Sequence, residues 1–205
     1  MVRAGLEAEG PPGPEAEGAR GRVPPPVALL RKGAAASPEN VESRIPPHDL
    51  EAEAATVSAC LCLPLATPAG APEGMAVVAP FLAPEHFFSE SHRRIFEGAR
   101  ELFRHGQRPD VVLVAGWLRD RDRLAQVGGF PYLTEVLNAA PCGQNVRAYG
   151  ERVHALWGVR ELLRLAQEVT AAAYGSPGDP RSFVKASAKA FERLAIATSL
   201  PRGAR

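Results

Sequence analysis

Only three of the 205 residues are lysine, only three are cysteine, and no aromatic residue occurs before Phe81. Each shortage removes a class of protein. A phosphate-cradling P-loop needs Gly-Lys followed by Ser or Thr, but Lys32, Lys185 and Lys189 follow Arg31, Val184 and Ala188. The adjacent glycines Gly128-Gly129 lack a preceding strand pattern and a third glycine, so a dinucleotide-binding turn is excluded too. Three cysteines cannot build a disulfide framework, and no charged start leading into an apolar stretch marks export, which reads as a reducing, cytoplasmic chain. The longest nearly apolar stretch, Ala54 to Ala66, contains Thr56, Ser58 and Pro64 and falls short of the roughly 20 residues of a membrane-crossing helix. Net charge is also missing. The formal +1, from 24 Lys plus Arg against 23 Asp plus Glu, argues against a protein whose main work is gripping phosphate backbones.

What is abundant is proline, unevenly placed: 13 of the 20 lie at or before Pro80. Residues 1–44 hold seven prolines, six glycines and balanced charge, so they cannot bury enough apolar area to offset backbone ordering of about 1–2 kcal/mol per residue. They are expected to form a disordered Pro/Gly/Ala-rich leader. Pro64 to Met75 reads as a loose surface insertion, because helical pattern continues on both sides. The folded part is placed at 45–198, with 199–205 as a tail.

Within it the apolar spacing is that of helices. Asp49 precedes Leu50-Glu51-Ala52-Glu53 as a cap, and Leu50, Ala54, Val57 and Leu61 predict a one-faced helix. Phe88, His92, Ile95, Phe96, Ala99, Leu102 and Phe103 form a core-facing stripe over about 89–105, stopped by Gly106. Asp110 caps a third helix, VVLVAGWLRD, so apolar all round that it reads as the central one. After Gly128-Gly129 a short helix carries Tyr132, Leu133, Val136 and Leu137. The longest helix, about 145–174, carries a coiled-coil-like seam of Val159, Leu162, Ala166, Val169 and Ala173, then a Gly/Pro reversal and a returning helix with Phe183, Phe191 and Leu194. The expected fold is all-α: a small orthogonal head (about 45–144) followed by a two-helix hairpin (about 145–198). Those eight side chains are the expected assembly face, since two helices have little core of their own and their free side suits a second copy.

No catalytic, cofactor-binding or metal-binding residues emerge. Cys60 and Cys62 point about 200° apart on a helix and cannot share a tetrahedral ion, with or without Cys142 and His48. Glu51/Glu53 and Asp120/Asp122 diverge for the same reason and read as solvated charge or dipole complement. His92 falls in an apolar stripe with no carboxylate assignable beside it, so it reads as a packed core histidine. His86, His105 and His154 show no partner pattern either. Trp117 and Trp157 read as packing groups. Arg119, Arg121 and Arg123 form a small cluster, which supports a second reading as a helix-turn-helix DNA-binding regulator.

Four motifs in order, Pro46-Pro47-His48-Asp49-Leu50-Glu51-Ala52-Glu53, Ser91-His92-Arg93-Arg94-Ile95-Phe96, Val127-Gly128-Gly129 with Tyr132-Leu133, and Asn145-Val146-Arg147-Ala148-Tyr149 with Val153, resemble the N-terminal domain of DnaB-type bacterial replicative helicases. The resemblance implies a helical head and a hairpin that pairs into dimers. It further implies a hexameric collar that docks primase, with a full-length helicase as another partner and only weak or indirect DNA contact. In that family ATP and Mg²⁺ belong to a motor domain after the hairpin, and only seven residues follow Thr198 here, so no catalysis is expected from this chain alone. The Pro64 to Met75 segment and the long leader depart from the family pattern.

Overall fold

The computed structural model describes residues 45–61, 74–139, 145–175 and 178–200; the leader, most of the 64–75 segment, Cys62, Cys142 and the end of the tail lie outside them. The described residues are all-helical: α1 Leu50–Leu61, α2 Gly74–Val78, α3 Glu90–Arg104, α4 Val111–Arg119, α5 Gly129–Leu137, α6 Val146–Tyr174 and α7 Pro180–Ala197, with short 3-10 turns at Pro84–His86 and Ala125–Val127.

The centre of the head is α1, which packs against α2, α3, α5 and α6. Its buried positions are mostly small, Ala52, Ala55, Thr56, Val57, Ser58, Ala59 and Cys60, and so allow neighbours to approach on every side. A Cβ placed on Gly74 would lie 2.2 Å from the carbonyl oxygen of Ala59, which is why α2 opens on glycine. The hydroxyls are satisfied: Thr56 donates to Ala52 O at 2.7 Å, and Ser58 donates to Leu137 O at the end of α5, also at 2.7 Å. Burial pushes the Cys60 thiol well above the usual thiol range, so it behaves as a small hydrophobe.

Several sequence expectations are corrected. α4, expected to be central, is peripheral: Val114, Ala115 and Leu118 face inward while Val112 is 66% and Leu113 41% exposed. The central place goes to α1, expected to bury only one face. Small side chains let a helix be surrounded, whereas a run of large ones only guarantees one buried side. Met75, assigned to a surface insertion, is sealed in the core at 1% exposure, and α2 begins at Gly74.

The expected stripe of α3 is present, with His92, Ile95, Phe96, Ala99 and Leu102 buried. Phe88, by contrast, precedes the helix, is 38% exposed and stacks on His48 at 4.2 Å. The expected caps also form. Asp110 accepts from the backbone N–H of Val112 and Leu113 at 2.8 Å each, and Asp49 accepts from Ala52 N at 3.0 Å. Gly128 sits at φ 100°, a conformation that favours glycine, and a Cβ there would meet Tyr132 Cβ at 2.8 Å.

A further correction concerns charge. Glu53 is not solvated: it is 1% exposed, and it is the carboxylate partner that His92 was expected to lack. Its Oε1 accepts from Phe88 N at 2.6 Å, and its Oε2 from Ser89 N at 3.1 Å and from His92 Nδ1 at 3.0 Å. His92 Nε2 in turn lies 3.1 Å from the Tyr132 hydroxyl. The imidazole thus joins α1 to α5 across the start of α3, with a partner on each ring nitrogen.

Two outcomes follow. Glu53→Ala leaves two backbone N–H groups and a ring N–H unpaired inside the head and is expected to lower the unfolding free energy by about 3–5 kcal/mol in urea titration, the usual cost of breaking a buried pair. Asp49 gives a pH dependence. The Ala52 backbone N–H and then Arg152 hold its carboxyl below the usual range, so its contribution is present above the unfolded carboxylate pKa and is lost as pH falls through the lower folded value. Asp49→Asn is expected to flatten that part of the stability profile, measured by thermal melts between about pH 2 and 5.

Candidate assembly surface

At about 1.5 Å per residue, the 29-residue α6 extends roughly 44 Å, longer than the head can cover. Only its first turns are sealed, through Val146, Gly150, Val153 and His154. Gly150 makes the contact close: a Cβ there would lie 3.0 Å from Val78 and 3.2 Å from Phe81.

The next turn forms the root of the hairpin. The Arg160 guanidinium donates to Pro47 O at 2.9 Å and to His86 O at 2.5 Å, and lies 5.8 Å from the Phe88 ring centre. Burial pulls its pKa down, while Glu53 and Glu161 act in the opposite direction. Arg152 reaches Asp49 Oδ2 at 3.1 Å. His86 stacks on Trp157 with ring centres 4.0 Å apart, and its pKa is lowered to about 3 by burial first and then by His154, Arg100 and Arg160. His86 and His154, which showed no sequence pattern, therefore meet here, 3.3 Å apart at their Nδ1 atoms.

Beyond His154 no described residue of α6 is fully buried, and none of α7 is. Asp179 caps α7 by accepting from Arg181 N and Ser182 N, with Pro180 in its first turn. The two helices run antiparallel, so that Gly158 faces Thr198: a Cβ on Gly158 would meet Thr198 Cγ2 at 3.0 Å. The eight expected face residues fall into two sets. Phe183, Phe191 and Leu194 are half-buried and share the α7 stripe that ends at Thr198. On α6, Val159 and Leu162 are each 45% exposed, Ala173 is exposed, and Ala166 and Val169 are half-buried. Further exposed apolar groups lie outside the expected face, Leu163, Tyr174, Val184 and Ile196. Their signal was simply a large apolar residue off the seam, on a helix with only one neighbour. Charge frames this surface: Arg164 pairs with Glu161 at 2.8 Å and with Glu168 at 2.6 Å.

The arginine cluster of the head offers no comparable surface. Arg121 lies 4.1 Å above the Trp117 ring and donates to Trp117 O at 3.3 Å, while Arg123 pairs with Glu97 at 3.2 Å. Arg119 lines a shallow groove of about 380 Å³ with Leu124 and Ala125. The following helix, α5, contains no lysine or arginine, so this is not a basic recognition helix and the regulator reading is not favoured. Among the described residues no group of three or more His, Cys, Asp or Glu side chains could hold a metal ion, and no helix is long and apolar enough to cross a membrane.

Comparison with known proteins places this architecture. The family model for the DnaB-like helicase N terminal domain matches residues 45–155. The replicative DNA helicase DnaB of Treponema pallidum is 34% identical over 136 residues, covering 66% of this chain and 29% of that protein. The replicative DNA helicase DnaC of Bacillus subtilis is 27% identical over 155 residues, covering 76% and 32%. The chain thus spans about a third of the length of the curated relatives it matches. In solved structures, the N-terminal domain of DnaB helicase from Mycobacterium tuberculosis superposes with a TM-score of 0.63 at 24% identity, covering 76% of this chain and all of that one. A DnaB-like replicative helicase, described with its interactions with primase, superposes with a TM-score of 0.53 at 21% identity over 76% of this chain and 32% of its own. From the match across its head and the root of α6, this chain belongs to the DnaB-like helicase N-terminal domain family.

Proposed function

We propose that this chain is a collar-type assembly module of DNA replication, which pairs with a second copy through the hairpin and docks primase. One observation carries the reading: past His154 the described hairpin seals no side chain, yet it holds Val159, Leu162 and Leu163 on α6 and Val184 and Ile196 on α7 largely in the open. Apolar groups repeated along an arm of this length favour a self-complementary contact, because an isologous pair covers both arms at once. A standard interface of about 800 Å² per partner fits such an arm. Three pairs would close a hexameric collar, and mixing with a full-length helicase would use the same surface. The described domain is read as contributing assembly and docking, at work in the cytoplasm.

Sedimentation velocity of the chain at micromolar concentration is expected to show a dimer or larger species. Leu162→Glu is expected to shift it to monomer with unchanged helical circular dichroism, since that side chain is 45% exposed. A strict monomer that also fails to bind a bacterial primase in calorimetry would sink the proposal.

A further inference from the structure

The formal charge of the chain balances overall but not along α7. That helix carries Arg181, Lys185, Lys189 and Arg193 against one carboxylate, Glu192. All four cations are exposed, and among the described residues none is paired with a carboxylate. They recur at intervals of four, so each stands about 6 Å further along the axis than the last, and the row extends about 18 Å while winding slowly round the helix. The half-buried positions Phe183, Ser187, Ala190, Phe191 and Leu194 fall on the opposite side, so the row points away from α6. Like charges four apart on one helix repel each other, a standing cost that an outside polyanion would remove. The outer half of α6 offers no such row, because Arg164 is held between Glu161 and Glu168. At the same end of the arm as Arg181, where α6 gives way to α7, Tyr174 is 87% exposed. So open a ring contributes little to packing.

We infer that this side of α7 is a binding site for the sugar–phosphate backbone of a single-stranded nucleic acid, with Tyr174 as a stacking platform for a base at the tip of the arm. The charges of a stacked strand lie about 3.4 Å apart, so cations about 6 Å apart meet alternate phosphates. Exposed lysine and arginine stems follow a strand whose path varies, and a ring face accepts any base, so the contact is independent of sequence. An acidic protein segment would satisfy the row but leave Tyr174 unused. A duplex would meet the row but has no free base to stack. The formal charge of +1 for the whole chain fits an accessory contact that guides a strand along the arm rather than the main grip on it. The site is built on one chain and does not rest on pairing of the hairpin.

The test is fluorescence anisotropy of the full chain with labelled oligothymidylate and oligouridylate of about 20 nucleotides, from about 50 to 200 mM salt. Four phosphate contacts on a single strand give a log–log salt slope of about −2.8, a loss of affinity of roughly 50-fold over that range. Lys185→Gln combined with Lys189→Gln is expected to bring the slope to about −1.4. Tyr174→Ala is expected to weaken binding about fivefold or more with the slope unchanged, as loss of one stacked base does. Every replaced side chain is exposed, and circular dichroism checks that the helices persist. The more tightly held oligonucleotide identifies DNA or RNA as the natural strand. A monomeric Leu162→Glu is expected to keep the slope, which separates this site from the assembly reading. Binding that survives loss of both lysines, a duplex or polyglutamate held as tightly as the single strand, an unaffected Tyr174→Ala, or no binding at about 50 mM salt overturns the inference.

Discussion

The head is organised around one buried negative charge. Removing a carboxylate from water costs several kcal/mol unless its oxygens are met by donors, and Glu53 has three: the two backbone N–H groups that lead into α3, and His92. The arrangement fixes where α3 starts, orients His92 toward Tyr132 of α5, and places an attractive charge within reach of Arg160 on α6. A single side chain on the central helix therefore sets the relative positions of three others. It can do so because α1 is otherwise built of small residues that bring those helices close.

Legibility of the fold in the sequence follows from whether a feature is local. Caps at Asp49 and Asp110, the stop at Gly106 and the stripe of α3 depend on residues within a few positions of one another, and they are where periodicity puts them. The swapped roles of α1 and α4 show the limit: apolar content was read as depth, whereas depth is set by how many neighbours can fit around a helix. Glu53 and His92 are 39 positions apart and His86 and His154 are 68 apart, so their meeting depends on helix packing that no spacing rule contains. The family motifs nevertheless carried that information indirectly, since three of the four include a residue of the Glu53, His92 and Tyr132 chain.

The helical hairpin was legible in outline. The seam on α6 and the reversal into α7 followed from spacing and from Gly/Pro punctuation. Its division was not, because which side of a two-helix arm turns toward its mate depends on close approaches such as Gly158 against Thr198. The root of the arm is equally non-local. Arg160 holds two backbone carbonyls that belong to separate segments, at Pro47 and His86, and so fastens arm and head by geometry rather than by apolar area.

Because no described side chain of the arm beyond His154 is committed to a sealed interior, its outer residues answer to few packing constraints. Substitutions there alter which surfaces the arm can meet while leaving the head intact. In the proposed pairing, partner choice would rest on a handful of exposed positions, with like charges or added bulk excluding the wrong mate as effectively as apolar fit selects the right one.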